Sequence, residues 1–472
     1  MKKPLALVAL LLLGACVPDT APQIKPIEPS ALGLGTALAP RLPSDWWKAF
    51  GDPQADRLAA AVIAGNPSLQ SAMARIRAAK AQIAVQNAGE LPKLDLDGEE
   101  QRQLFSKDFI YPPPYAGSWR WFGSVEANFD WSLDFWGKQA ALIAAAKANS
   151  QAAVLDEAGA RLALSGAFAQ SYINLYLAWQ TIDIAAEAVA EREEILALTQ
   201  RRFNSGLENT ANLEQAKAQL AASRLYKLRS EAERDMLVHA IVALTGKGAA
   251  DYAAIARPAP HLDTALPVPK ALPADLLSRR PDILAAQARI EAAGQGRAAA
   301  KADFYPNIDL KAFLGFQAIG LSNLISGDSF TTGAGPAVHL PLFDAGKLNA
   351  QYEGATAAVD EAVAAYNGAV VNAVKQSADA LTQVNSLAAQ REQLQAALTA
   401  SEKSYAYAKT RYQSGLSTQI TLLSAQSNLL LIRQQAATLI AQEAAQRITL
   451  LLSVGGSFDP QSIDIAAKDS TP

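Results

Sequence analysis

Side chains that could carry catalytic or redox chemistry are few in this 472-residue sequence. Cys16 is the only cysteine, so neither an internal disulfide nor a cysteine-rich metal cluster can form. The histidines, His239, His261 and His339, are far apart in sequence and lack the spacing of metal ligands. The sequence has no P-loop, no Gly-x-Ser-x-Gly and no His-Glu-x-x-His motif. This pattern predicts a protein that is not an enzyme and that needs no metal or cofactor.

Cys16 follows a segment with the pattern of a bacterial signal peptide. A positively charged start, an apolar run over residues 5–13 and the small residues after it are typical of a signal peptide, here residues 1–15. The run is shorter than the roughly 20 apolar residues of a membrane-spanning helix. The Leu-Gly-Ala-Cys motif that ends at Cys16 resembles the bacterial lipobox, in which the cysteine becomes the lipidated N-terminus. An ordinary cleaved signal with an incidental cysteine is the alternative interpretation.

The residues after Cys16 bear on its destination. Val17 stands where an aspartate usually signals retention in the inner membrane, so the outer membrane is favoured. Residues 16–44 are rich in proline and have no sustained apolar period, which predicts a lipid anchor followed by an extended, semi-rigid tether. With a net charge of −3 and no dense run of lysine and arginine, the chain shows no electrostatic footprint for nucleic acid.

An internal repeat organises the rest of the chain. Residues 66–76 match residues 280–290 at a spacing of 214, and the Arg-aromatic-x-Ser-Gly-Leu element of residues 202–207 recurs in residues 411–416 at a spacing of 209. The shorter spacing places a five-residue length difference between about 98 and 131, where a loop can vary. The predicted organisation is a first repeat over 45–246, a connecting segment over 247–273, a second repeat over 274–456 and a C-terminal tail over 457–472.

Each repeat is predicted to contain a pair of strands. From 119 to 134 apolar and polar residues alternate, with Phe122 as the exception, which is typical of a β-strand. The strand pairs are expected at about 92–134 and 306–342, and the fourth strand alternates less clearly.

Proline fixes φ and removes a hydrogen-bond donor, which suits a junction between strand and helix. The prolines at such positions are Pro92, Pro306 and Pro341.

Each repeat is also predicted to contain a long helical hairpin. The hairpins are expected over 138–246 and 347–454, where each first helix is free of proline. At 1.5 Å per residue, the first of these helices would be roughly 100 Å long. Helices of that length indicate a coiled coil or a tubular bundle.

The four strands leave two interpretations. A sheet in lipid cannot have open edges, and four strands are too few to close a barrel. Three copies of the chain would supply twelve antiparallel strands, an even number that outer-membrane barrels use. The alternative is a small periplasmic sheet with one face packed on a helix.

The repeat, the strand alternation and the helix lengths together resemble the TolC/OprM family of outer-membrane efflux proteins, nearest its lipidated NodT/OprM branch. The resemblance extends from Cys16 to about Gly456. It implies a mainly α fold with a membrane β-barrel, in a homotrimer with a twelve-stranded barrel and a long periplasmic helical barrel. It also implies a passive duct, lipid-anchored in the outer membrane, that works with a periplasmic adaptor protein and an inner-membrane RND or ABC transporter. A structural coiled-coil lipoprotein without channel activity is the alternative.

The same resemblance implies site residues at the turns of the two hairpins. The residues expected to dock the adaptor are Arg202, Gly206, Leu207, Arg411, Gly415 and Leu416. The residues expected at the periplasmic gate are Asn212, Tyr412, Ser417, Thr421 and Ser424, with Glu208 beside them. Apart from Glu208 these residues are uncharged, so the charged latch of some relatives is largely absent. A hydrogen bond between Asn212 and Tyr412 would contribute about 1 kcal/mol or less. Glu208 and Glu214 are either an acidic ring or solvated helix ends.

Overall fold

The computed structural model describes residues 20–461, apart from 37, 39–40, 109, 263–267, 270 and 274. The predicted signal peptide, Cys16 and the tail from residue 462 lie outside the described residues. The α-helices are α1 (Pro53–Gly65), α2 (Pro67–Ala88), α3 (Lys138–Asn204), α4 (Thr210–Leu244), α5 (Leu276–Arg279), α6 (Pro281–Ala302), α7 (Lys347–Gln413) and α8 (Gln419–Ser453). The strands are β1 (Lys93–Leu104), β2 (Trp119–Leu133), β3 (Asn307–Ile319) and β4 (Phe330–His339).

The predicted internal repeat is confirmed by the lengths of its helices. Helices α2 and α6 have 22 residues each, α3 and α7 have 67 each, and α4 and α8 have 35 each. The β1–β2 connection, residues 105–118, is longer than the β3–β4 connection, residues 320–329. The two copies therefore differ in length in the part of the repeat where the sequence places the difference. Within the described residues, no helix combines the length and apolarity that crossing a bilayer requires.

Internal contacts divide the chain into two units. Among the described residues, the first unit comprises 20–26, 75–153 and 285–367. The second unit comprises 27–74, 154–284 and 368–461. The first unit holds the whole sheet, and the second holds both helical turns.

The sheet of the first unit has the strand order β1-β2-β3-β4, and every neighbouring pair is antiparallel. Trp131 lies opposite Leu310 on one face, whereas Asp130 lies opposite Lys311 on the other, with 3.2 Å between their charged atoms. The register also extends the apolar face onto β4, because Phe330 lies opposite Phe316. The alternation of apolar and polar residues in β4 is less clear from the sequence alone. Within the described protomer, the outer edges of β1 and β4 have no strand partner.

The largest apolar core lies in the second unit. It includes Trp46, Tyr172 and Ile241, which are almost completely buried. Small residues let the long helices approach closely there: a Cβ atom on Gly166 would lie 2.4 Å from Cδ1 of Leu452. This core supports the long helices whose turns carry the predicted site residues.

Candidate functional site: the two helical turns

The turn between α3 and α4 (residues 205–209, the first turn) and the turn between α7 and α8 (residues 414–418, the second turn) share one backbone geometry. Gly206 and Gly415 both have a φ of +72°. In each turn, the N–H of the leucine after the glycine donates to the carbonyl oxygen of the arginine five residues earlier, at 2.8 Å. These bonds form the Schellman motif, which needs a left-handed residue after the helix end and therefore favours glycine.

The predicted adaptor-docking residues lie at these turns. Leu207 and Leu416 are the apolar side chains of the turns, and they are 69% and 68% exposed. Arg411 is also exposed, and its Nη2 donates to the carbonyl oxygen of Leu416 at 3.3 Å. Arg202 is more buried than Arg411, so the two equivalent arginines have different surroundings. Each turn therefore presents one exposed leucine, and of the two equivalent arginines only Arg411 is exposed.

In the first turn, a small polar network surrounds Glu208. Its Oε2 lies 3.5 Å from Nε of Arg202, and the two side chains are only 11% and 24% exposed. The distance makes this an ion pair without a hydrogen bond at Nε, which has no other hydrogen-bond partner. Asn212 donates from its amide to Oε1 of Glu208, and its backbone N–H donates to the Asn209 side chain at 2.9 Å. Glu208 is therefore held by partners of its own protomer.

Next to the second turn, near the end of α7, Tyr412 is fully buried. Its hydroxyl lies 3.4 Å from Oγ1 of Thr199, which also accepts a 3.1 Å hydrogen bond from the Gln419 amide. The guanidinium of Arg202 lies over the Tyr412 ring, 5.1 Å from the centroid, which is within the range of a cation–π interaction. Thr418, the N-cap residue before α8, makes no side-chain capping bond. Tyr412 thus links the second turn to α3 of the first hairpin.

The hydrogen bond between Asn212 and Tyr412 that the sequence allowed is not formed within the described protomer. Within the described protomer, Asn212 bonds to Glu208 and Tyr412 faces Thr199, so the two do not form a hydrogen bond with each other. Glu208 is not a solvated helix end, whereas Glu214 is exposed and pairs with Lys217 at 2.7 Å. The three remaining gate positions are exposed or half-buried: Ser417, Thr421 and Ser424.

Sequence reasoning missed the buried polar groups of α3 and α7. Arg192 is almost fully buried, donates to the Ser427 hydroxyl at 3.0 Å, and has a pKa that burial lowers. Burial, together with the carboxylates of Glu191 and Glu194, raises the pKa of Tyr405 to about 12. Isolated polar residues on long helices give no sequence signal that separates buried from solvated positions. Among the described residues, no group of His, Asp and Glu side chains could hold a metal ion.

The predicted junction prolines lie where strands and helices meet in the first unit. Pro92 precedes β1, Pro306 precedes β3 and Pro341 follows β4. The indole N–H of Trp136 donates to the carbonyl oxygen of Pro306 at 2.8 Å. Phe343, near the end of β4, is 90% exposed. These junction aromatics were not predicted from the sequence, although an aromatic residue near the end of a membrane strand is a recognisable signal.

Duplicated hairpins and a four-stranded sheet with one apolar and one polar face define the protomer of an outer-membrane channel. The model of the family described as outer membrane efflux protein matches residues 58–247 and 272–456, one match over each repeat. The chain belongs to this family.

Several characterised proteins are similar over most of the chain. The fusaric acid resistance protein FusA of Burkholderia cepacia is 33% identical over 362 residues, covering 75% of this chain and 68% of that protein. The multidrug resistance outer membrane protein MdtP of Escherichia coli K12 is 29% identical, covering 93% of this chain and 92% of that protein. The solved structure of the outer membrane protein VceC from Vibrio cholerae has a TM-score of 0.82 at 32% identity, covering 88% and 99% of the two chains.

These relationships establish the role of the chain. It is the outer-membrane channel component of a tripartite efflux system, and the alternative of a structural lipoprotein without channel activity has no support among the relatives. The outer-membrane channel OprN, with a TM-score of 0.81 and 26% identity over 93% of this chain, has the same fold. The family and its solved structures are channels rather than enzymes.

Proposed function

We propose that three copies of this chain close their sheets into one twelve-stranded barrel and form a passive exit duct for an efflux pump. The observation that carries the proposal is the sheet with a continuous apolar face and two open edges. Open strand edges cannot face lipid, because their N–H and C=O groups would lack partners. Pairing of β4 of one protomer with β1 of the next satisfies both edges at once.

The purified protein tests this duct directly. Its mass in detergent should be that of a trimer, and planar bilayers that contain it should show discrete single-channel conductance. A monomer without conductance would overturn the proposal. A trimer without conductance would leave the assembly correct and show that the purified duct is closed, and an opened variant of the turns would then have to conduct.

The lipid anchor at Cys16 is a separate part of the proposal. Each buried CH₂ group of an acyl chain contributes about 0.8 kcal/mol, and stable attachment takes more than one chain. The lipobox-like motif supports acylation at this position. Cells that express the chain should incorporate labelled palmitate into it, and Cys16→Ser should abolish the label. A Cys16→Ser variant that still carries palmitate would refute the anchor.

The two turns are proposed to dock a periplasmic adaptor protein, which in turn connects the duct to an inner-membrane transporter. Support comes from the equivalent, exposed Leu207 and Leu416, since isolated apolar side chains on rigid turns suit a protein contact. Leu207→Asp with Leu416→Asp should abolish adaptor co-purification and efflux while leaving single-channel conductance intact. Leu228→Asp, at an exposed position within α4, is the control that should retain adaptor binding.

The gate is proposed to be neutral at its centre, with Tyr412 and its partners replacing a charged latch. Arg202 and Glu208 balance each other within one protomer, which leaves no net charge in the network.

The cargo is proposed to be small organic compounds, because relatives are named for fusaric acid resistance and multidrug resistance. Deletion of the gene should raise sensitivity to such compounds, and re-expression should restore resistance. Unchanged sensitivity across an organic panel would argue against this cargo.

A further inference from the structure

The first described residues, 20–25 (the N-terminal strap), are held by side chains of α7 in the first unit. Oδ1 of Asp360 accepts hydrogen bonds from the backbone N–H groups of Gln23 and Ile24, at 2.8 and 2.9 Å. Seven residues further along α7, the amide of Asn367 donates to the carbonyl oxygen of the last strap residue at 2.9 Å. All three bonds go to the strap backbone.

The start of the strap is held by α6. Nη2 of Arg297 donates to the carbonyl oxygen of Thr20 at 2.6 Å. Its Nε donates to Oγ1 of Thr356 at 3.0 Å, and its guanidinium lies 4.9 Å from the centre of the Tyr352 ring. These two contacts do not involve the strap, and they fix the orientation of the Arg297 guanidinium.

The other copy of the repeat lacks these side chains. At the spacings that relate the two copies, Arg297 corresponds to position 83, Asp360 to 151 and Asn367 to 158. The residues there are Ile83, Gln151 and Ala158. Since α2 and α3 have the same lengths as α6 and α7, the shared fold does not require the arginine, the aspartate or the asparagine. The side chains that hold the strap are therefore particular to the second copy.

We propose that Arg297, Asp360 and Asn367 form a clamp that holds the strap and thereby fixes the height at which the acylated Cys16 enters the membrane. The inference rests on the proposed lipid anchor. Cys16 is four residues before Thr20, and four residues of chain can span at most roughly 14 Å. Arg297 precedes the end of α6 by five residues, or about 8 Å of helix, and β3 starts shortly after. The acylated residue can therefore reach the level at which the membrane strands begin.

Because the clamp binds backbone groups, it recognises the local backbone conformation of the strap rather than a particular sequence. A carboxylate that accepts two adjacent N–H groups selects the strap by its conformation. Substitution of the exposed Ile24 side chain should therefore leave the clamp intact, whereas loss of Asp360 should release two amides together.

Hydrogen exchange of the full-length, detergent-purified trimer tests the clamp. In Asp360→Ala, the amides of Gln23 and Ile24 should exchange about tenfold faster or more, because hydrogen bonds to a charged acceptor are lost. Asp360→Asn keeps one carbonyl acceptor at the same place, so its acceleration should be smaller. Asp379→Ala is the matched control, since this aspartate lies on the same helix in an exposed pair with Lys375 and should leave the strap unchanged.

Equal exchange in wild type and Asp360→Ala would overturn the clamp, as would equal acceleration in Asp360→Ala and Asp379→Ala. Mass spectrometry of the N-terminal peptide separates this result from the anchor itself. A peptide without acyl chains would refute the anchor, while the exchange data would still test the clamp.

The height of the strap is measured with a fluorophore on Ile24→Cys in vesicles whose lipid headgroups carry a nitroxide quencher. An acylated Cys16 does not react with the label, because its thiol is blocked as a thioether. The intact clamp should give a single fluorescence lifetime, and Asp360→Ala should give a broad distribution. A single, unchanged lifetime in Asp360→Ala would show that the clamp does not set the height.

Discussion

The two helical turns have the same backbone but different side-chain support. Both end a 67-residue helix with a Schellman motif around a glycine at the same φ. The first turn adds the Arg202–Glu208 ion pair and the Asn209 cap, whereas the second relies on the buried Tyr412. Duplication has thus kept the scaffold of the turn, while the contacts that hold each copy in place have diverged. The clamp on α6 and α7 follows the same rule, since one copy alone carries it.

The largest effect is expected at Tyr412, because this side chain joins the second turn to α3. Tyr412→Ala should leave a cavity and cost about 3 kcal/mol or more of local stability. The thermal unfolding midpoint should fall, and a bulky antibiotic that the closed duct excludes should enter cells. Tyr407→Ala, on the same helix but 71% exposed, should change neither measurement. Similar losses from the two substitutions would mean that Tyr412 is not the support of the second turn.

Glu208→Gln should weaken the first turn without affecting the second. It leaves the partly buried Arg202 without its counter-charge, at an expected cost of about 2 kcal/mol. Hydrogen exchange should accelerate at the α3–α4 turn and stay unchanged at the α7–α8 turn. Glu214→Gln removes only an exposed pair and serves as the control. Acceleration at both turns would contradict separate support.

The equivalence of the two backbones predicts equal effects at the two glycines. Gly206→Ala and Gly415→Ala should each cost about 1 kcal/mol, because a Cβ meets no atom within 4 Å at either position and only the left-handed φ is strained. Thermal unfolding of the two single variants measures this. A twofold or larger difference between the costs would show that the turns do not share one backbone.

The smallest expected difference concerns the helix caps. Asn209→Ala removes a side-chain bond to the start of α4 and should cost between about 0.5 and 1 kcal/mol. Thr418→Ala removes no such bond and should cost only a few tenths. Hydrogen exchange of the backbone amides at the N-terminal ends of α4 and α8 gives the comparison. An equal cost at both caps would remove this distinction between the turns.

Much of the fold could be predicted from the sequence because it rests on periodic patterns. The alternation from Trp119 onward predicted β2, and the matched spacings predicted the two copies and the start of both hairpins at Lys138 and Lys347. Strand β4 was harder, because glycines and a proline interrupt its alternation. Its apolar face became evident only from the register with β3, which places Val338 opposite Ile308.

The partners within the candidate site could be predicted less well. The Schellman geometry brings Arg202 next to Glu208 across a chain reversal, and helical periodicity does not describe such a reversal. The contact of Tyr412 with Thr199 joins residues 213 positions apart, and the hydrogen bond from Arg297 to Thr20 joins residues 277 apart. A bond to the backbone of a distant segment places no constraint on the residue types of that segment, so it leaves no pattern in the sequence.

The open edges of β1 and β4 also have a consequence for biogenesis. In the proposed trimer, a newly exported protomer presents both edges until two further copies arrive, and an unpaired edge is a template for association with any other strand. Correct and incorrect encounters use the same backbone groups, so the yield of ducts depends on the time that each protomer spends alone. Slower synthesis lengthens that time and favours aggregation or proteolysis. The supply rate of protomers is therefore expected to affect the number of channels, in addition to the stability of each protomer.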